Sequence, residues 1–203
     1  SLSDLENNYK YENGFMRRLT GSTNINLSSI IYGIIPLNFG NLSAMKHIVS
    51  PSIGFTYRPD FTKAFLGKMP NYMIKGYDNQ YYDSFAGSNV GSTPNLLKQE
   101  YQFTLQNLFY IKYIDEKDEI MKEQILSWNL QANYNAAADS AHLSSITSKI
   151  NTKIPKINLD LSIKSTHDIY ERINNGTSIT RINKFKNTYY NFPLPYLTQL
   201  SVS

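Results

Sequence analysis

Residues 125 to 136, Ile-Leu-Ser-Trp-Asn-Leu-Gln-Ala-Asn-Tyr-Asn-Ala, alternate with a period of two. Leu126, Trp128, Leu130, Ala132, Tyr134 and Ala136 fall on one side, and Ser127, Asn129, Gln131, Asn133 and Asn135 on the other. An extended strand separates neighbours in this way, so the segment is a β-strand with one apolar and one wet face. The wet face carries no Lys or Glu. Soluble sandwiches usually place charges on their solvent face, whereas amides and hydroxyls suit the water-filled inside of a membrane barrel.

The pattern recurs. From Gln99 to Tyr113, Tyr101, Phe103, Leu105, Phe109, Ile111 and Tyr113 oppose Gln102, Thr104, Gln106 and Lys112, with Leu108 and Tyr110 breaking the polar side. From His47 to Tyr57, Val49, Ile53, Phe55 and Tyr57 oppose Ser50, Ser52, Gly54 and Thr56. From Lys156 to Ser165, Ile157, Leu159, Leu161 and Ile163 oppose Asn158, Asp160, Ser162 and Lys164. Weaker strands run over about 19–34 and 144–153. No helical periodicity separates them, so the chain is expected to be all-β: consecutive antiparallel strands forming part of a transmembrane β-barrel, with residues 1–203 in one barrel domain.

The connections differ in character. Residues 58–98 form a long stretch rich in Gly, Tyr, Asn and Ser, and 168–197 a second one. Compact soluble domains rarely carry so much irregular chain, whereas barrels put long loops outside the cell and short turns in the periplasm. Lys153-Ile154-Pro155-Lys156 is expected to be a tight turn, with Pro155 where no ladder donor is needed. The charge run between Ile114 and Gln124 reads as a solvated turn. Asn175-Gly176, between Ile173 and Ile179, predicts a two-residue hairpin turn. If strand directions alternate, 58–98 and 168–197 emerge at one end and 154–155 at the other.

The chain has neither a start Met nor a basic-then-apolar leader at its beginning, and Thr198 to Ser203 reads as a strand just begun. It is read as an internal piece of a longer protein, so the missing leader says nothing about secretion. The apolar run near Ile30–Ile35 is far short of the roughly 20 residues of a spanning helix. Zero cysteines exclude thiol chemistry and disulfides within the segment. The net charge of +4 is scattered, without the basic stripe that nucleic acid demands. The 16 Tyr and 10 Phe are what strands generally favour, and also the material of barrel girdles.

Chemistry is absent from the motifs. The three histidines, His47, His142 and His167, have no metal-ligand spacing to one another. No nucleophile elbow or phosphate loop occurs, and Asp160 has no acidic partner for glycoside chemistry. The chain is expected to be no enzyme and to use no cofactor or metal. Side chains expected to line a lumen are Gln102, Thr104, Gln106, Asn129, Gln131, Asn133, Asn158, Asp160 and Ser162. Those expected to face lipid are Phe103, Leu105, Trp128, Leu130, Tyr134, Leu159, Leu161 and Ile163.

Met45-Lys-His-Ile-Val-Ser-Pro-Ser-Ile-Gly-Phe-Thr-Tyr-Arg-Pro-Asp-Phe61 resembles a strand of the LptD family, the lipopolysaccharide-assembly proteins, in their Bacteroidetes-type branch. His47, Pro51, Phe55, Tyr57, Arg58 and Pro59 carry that motif. Gly76-Tyr77-Asp78, Tyr81-Tyr82-Asp83, the strand end Ser127–Ser140 and Arg181-Ile-Asn-Lys-Phe185 are similar to later family motifs, in the family's order, over roughly 45–203. The first 44 residues carry no motif that can be placed. The resemblance implies location in the outer membrane of a Gram-negative bacterium. It also implies a lumen that passes lipopolysaccharide from a periplasmic β-jellyroll bridge and releases it sideways into outer-membrane lipid. Its implied partners are an LptE-like lipoprotein plug and the barrel-assembly machinery. The family's disulfides have no counterpart in this cysteine-free segment, and no residue of a lateral gate can be identified. Two other readings stay open: an outer-membrane transporter of another substrate, and a soluble all-β carbohydrate-binding module.

Overall fold

The structure is a computed structural model that describes residues 16–154 and 159–203. In chain order the strands are β1 (Thr23–Ser28), β2 (Ile31–Phe39), β3 (Leu42–Arg58), β4 (Met73–Lys75), β5 (Tyr81–Asp83), β6 (Lys98–Ile114) and β7 (Ile120–Asn135). There follow β8 (Ile146–Ile154), β9 (Leu159–Asp168), β10 (Tyr170–Asn174), β11 (Ile179–Phe185), β12 (Thr188–Tyr189), β13 (Phe192–Pro193) and β14 (Tyr196–Val202). Among the described residues there is no helix. The contacts divide the chain into two compact units, 24–55 with 99–203, and 1–23 with 56–98.

The larger unit is built on an open eight-stranded sheet in the order β1-β3-β6-β7-β8-β9-β14, with β2 also on β3. The alternating segments of the sequence thus become neighbours in chain order. Their antiparallel registers keep like faces together: Phe103 opposes Ala132, Leu105 opposes Leu130, and Gln106 opposes Asn129. β1 and β2 behave as one edge strand broken at Ser29–Ile30. Ser29 N–H donates to the Pro51 carbonyl at 3.1 Å. Pro51 has no N–H to return, and the ladder lapses there.

A bulge between Phe109 and Tyr110 of β6 leaves Ile125 without an opposite residue. Beyond it the β7 side chains swap faces, which puts Glu123 opposite Ile111 and within 2.9 Å of the Tyr113 hydroxyl. At this end the connections are short. Gly40-Asn41 joins β2 to β3, and Asp115–Glu119 joins β6 to β7, with Asp115 Oδ1 accepting from the N–H groups of Lys117 and Glu119. The tight turn expected at Pro155 lies outside the described residues. The long connections, 59–97, 136–145 and 169–195, all leave the opposite end.

At that end Asp168, the last residue of β9, is fully buried. Arg181 sets a nitrogen 2.9 Å from each of its oxygens, and Arg172 approaches to 3.1 Å. The N–H groups of Ile169 and Tyr170 also donate to it. Arg181 further donates to the Leu143 carbonyl, so one carboxylate ties the β10–β11 hairpin to the 136–145 connection. That hairpin closes one residue later than expected. Asn175 N–H bonds the Ser178 carbonyl, leaving Gly176 (φ +83°) and Thr177 as its tip. A two-residue turn with positive φ at its first central position takes Gly there, so Gly176 fixes the frame.

The smaller unit shows that the largely irregular 58–98 segment is nonetheless tied together internally. β4 pairs with β5, Tyr72 and Met73 are buried, and the Tyr72 hydroxyl donates to the Phe61 carbonyl at 2.9 Å. Asp83 accepts from Thr93 N–H (2.6 Å), the Thr93 hydroxyl (2.7 Å) and Phe85 N–H (3.1 Å). Arg18, from the segment before β1, donates to the Gly91 carbonyl and the Thr93 hydroxyl and lies 4.5 Å over the Phe85 ring. Burial opposes the charge on Asp83, but the bonds from Thr93 and Phe85 and the Arg18 charge prevail and hold its carboxyl below the usual range. A carboxyl depressed in the folded state contributes stability above its unfolded pKa of about 3.9 and loses that contribution as pH falls through the folded value. The protection of the Phe85 and Thr93 amides, relative to their intrinsic exchange rate at each pH, is therefore expected to fall below about pH 4. Asp83→Asn should show the reduced protection at neutral pH as well.

Candidate functional site: a two-faced wall

The registers define two faces. One carries Asn26, Gly54, Gln102, Thr104, Gln106, Asn129, Gln131, Asn133, Thr147, Lys149, Asn151, Asp160, Ser162, Lys164, Gln199 and Ser201. Gly54 is the small member: a Cβ there would stand 2.6 Å from Asn26 Oδ1. Of the side chains expected to line a lumen, Gln102, Thr104, Gln106, Asn129, Gln131, Asn133, Asp160 and Ser162 share this face. Asn158 lies outside the described residues. Hydrogen bonds knit neighbouring strands here, from Asn151 Nδ2 to Ser127 Oγ at 3.2 Å and from Ser162 Oγ to Asn151 Oδ1 at 2.9 Å.

The opposite face brings together Phe103, Leu105, Trp128, Leu130, Tyr134, Leu161 and Ile163, and adds Ile25, Leu27, Ile53, Leu197, Leu200 and Val202. Of Leu159 only the backbone is described, paired with Ile154. Large apolar side chains stay open here: Leu27 is 65% exposed, Phe103 42% and Val202 59%. The buried apolar side chains among the described residues are Tyr72, Met73, Ile169 and Tyr170, and none belongs to the eight-stranded sheet. A groove of about 560 Å³ runs across this face, lined by Leu27, Pro51, Ile53, Phe103, Leu105 and Leu130 among others.

The motif strand packs through this same face. The His47 ring stacks on Phe109 at 4.1 Å, and its Nε2 donates to Asn107 Oδ1 at 3.2 Å. Phe55 packs on Tyr101 with ring centroids 4.8 Å apart, Tyr57 is half exposed, and the strand stops at Arg58 just before Pro59. Two features escaped the alternation. Asn107 is a buried amide on the apolar side, and Trp128 Nε1 donates to Ser148 Oγ at 2.9 Å, so hydroxyls and amides cross this face at mid-strand. Lys149 also went unassigned, because in 146–154 the isoleucines recur every fourth residue while Ser148 and Thr152 fill the apolar side between them. The polar face is therefore not free of fixed charge, contrary to what residues 125–136 suggest. Lys149 and Lys164 stand directly opposite one another on it.

Among the described residues no group of His, Asp and Glu is arranged to hold a metal. The arrangement offers a long wall, wet on one side and apolar on the other. A sheet with one wet and one open apolar face is of the class that transmembrane β-barrels present. The sequence profile of the family described as LptD protein matches residues 3–170, and the chain belongs to that family. The match starts well ahead of residue 45, so residues 3–44 belong to the family region although no motif is legible in them. Members act in lipopolysaccharide transport as outer-membrane components of Gram-negative bacteria, a transport role and not a catalytic one. No curated protein and no solved structure matches the chain.

Proposed function

We propose that this chain is part of the wall of an outer-membrane barrel through which lipopolysaccharide passes. The face of Gln102, Thr104, Gln106, Asn129, Gln131, Asn133, Asp160 and Ser162 lines the lumen. The face of Phe103, Leu105, Trp128, Leu130, Tyr134, Leu159, Leu161 and Ile163 meets lipid. The exposed apolar face carries this reading. A soluble carbohydrate-binding sandwich buries one face of each sheet against another layer, whereas here Leu27 on β1, Phe103 on β6 and Val202 on β14 stand open, at both ends of the strand order and within it. The family match favours lipopolysaccharide over another barrel substrate. Membership also supports the wider arrangement: delivery by a periplasmic jellyroll bridge, an LptE-like plug, insertion by the barrel-assembly machinery and sideways release into lipid.

Because the sequence has no cysteine, single Cys substitutions report cleanly within this segment. In membranes, Asn129→Cys, Gln131→Cys and Asn133→Cys are expected to react with a charged, water-soluble maleimide. Leu130→Cys and Ala132→Cys should stay unlabelled. Equal labelling of both sets would overturn the wall. The long connections are assigned to the cell exterior, so an epitope inserted at Ser88 should bind antibody on intact cells. Binding only after permeabilisation would reverse that orientation.

A further inference from the structure

Resting on the lumen reading above, we propose that Lys149 and Lys164 form a binding site for a phosphate group on the wet face. The register places them directly opposite each other on β8 and β9. Like charges directly opposite in a sheet are destabilising, so such a pair is normally answered by an acid. Neither lysine has an ion-pair partner among the described residues. The acids along β9 are placed elsewhere, with Asp160 opposite Lys153 and Asp168 clamped by Arg172 and Arg181.

The surroundings are a ring of uncharged hydrogen-bonding groups. Asn129 and Ser201 flank the pair across the sheet, while Thr147, Asn151, Ser162 and Thr166 flank it along the strands. Two ammonium groups and several hydroxyls and amides, in a patch without a carboxylate, match the charge and acceptor atoms of a phosphate. A second lysine pair makes the contrast. Lys112 and Lys122 are also in register, but they sit beside the turn that carries Asp115, Glu116, Asp118 and Glu119. There the protein's own acids stand close by in the chain, at four positions of the adjoining turn. At Lys149 and Lys164 the positive charge is left for something that arrives from solution.

The test uses the full-length protein in detergent. Acylation of each lysine by a water-soluble succinimidyl ester is read by peptide mass spectrometry, in phosphate and in chloride at equal ionic strength. Phosphate is expected to slow Lys149 and Lys164 about fivefold or more, on the scale of a charge-assisted contact, and to leave Lys112 and Lys122 unchanged. The second arm compares binding of phosphorylated lipid A with the same lipid stripped of its phosphates. The parent should prefer the phosphorylated form roughly tenfold, as expected for one charge-assisted interaction of this kind. Lys149→Gln/Lys164→Gln should lose the preference, keep its affinity for the stripped lipid, and assemble as well as the parent because a repulsion has been removed.

Protection by free phosphate together with the lipid preference identifies a general phosphate site; the lipid preference alone identifies a headgroup site. Equal protection of both lysine pairs, or a preference that survives the double substitution, overturns the proposal. Failure of the lumen reading is distinguishable, since Leu130→Cys would then be labelled as readily as Asn129→Cys, whatever phosphate does to the two lysines.

Discussion

Leu130→Arg is expected to lower the stability of the assembled barrel by about 2–4 kcal/mol, while Gln131→Arg, its immediate neighbour, is expected to leave assembly almost unchanged. Leu130 lies between Leu105 and Ser148 on the apolar face, next to the mid-strand level of Asn107, Trp128 and Ile150. A guanidinium there must leave water for hydrocarbon. Gln131 lies between Thr104 and Thr147 on the wet face, where an Arg stays hydrated. Heat-modifiable migration on a gel and resistance of the barrel to protease read both outcomes. A soluble sandwich gives a different result for Leu130→Ser, which in a packed core opens a cavity and strands a hydroxyl at a cost of several kcal/mol. Against lipid the same change leaves no cavity, and folding yield should fall only slightly. A severe loss from Leu130→Ser, in a chain soluble without detergent, would sink the membrane assignment.

Asp168→Asn should be the most damaging single change among the ion pairs. The carboxylate is wholly buried, while its partners Arg172 and Arg181 are 32% and 25% exposed. Removing its charge leaves two guanidinium groups half withdrawn from water, together with the N–H groups of Ile169 and Tyr170, facing a weaker acceptor. The expected cost is about 3 kcal/mol, the lower end for breaking a buried pair, because each Arg can turn partly to solvent. The damage should be local. Protease should cut between residues 170 and 195 much faster, and amide exchange at Tyr170 should rise, while β6 and β7 keep their protection. Lys184→Gln is the control. It removes a neighbouring 2.9 Å pair with Glu171 whose lysine is 68% exposed, and such surface pairs contribute under about 1 kcal/mol.

The strands were legible because alternation is a local property. A period of two over Leu126–Ala136 admits one conformation, and the same reasoning located β3, β6 and the described part of β9 to within a few residues. It also sorted Gln102, Asn129 and Ile163 onto the faces they occupy. Sorting fails where the face itself is mixed. In β8 the hydroxyls of Ser148 and Thr152 sit on the apolar side, one of them accepting from Trp128, so the local pattern there gives only a weak strand with no clear division into faces. The order of the 58–98 connection was hidden for another reason. Its core joins Asp83 to Thr93 and to Arg18, a residue that precedes β1, and a link across that much chain leaves no periodic trace.

Taken alone, the sequence determined an all-β chain whose strands each have a wet and an apolar side, because side-chain direction along a strand depends only on the backbone of its neighbours. Tertiary structure decided which strands adjoin and in what register, and register alone puts Lys149 opposite Lys164, Asn107 under His47, and Asp168 between two arginines. Apart from Asp168–Arg172, four residues apart, each of those pairings joins residues that no local pattern links. The free energy that selects them comes from ladders, stacking and charge contacts that exist only once the sheet has formed.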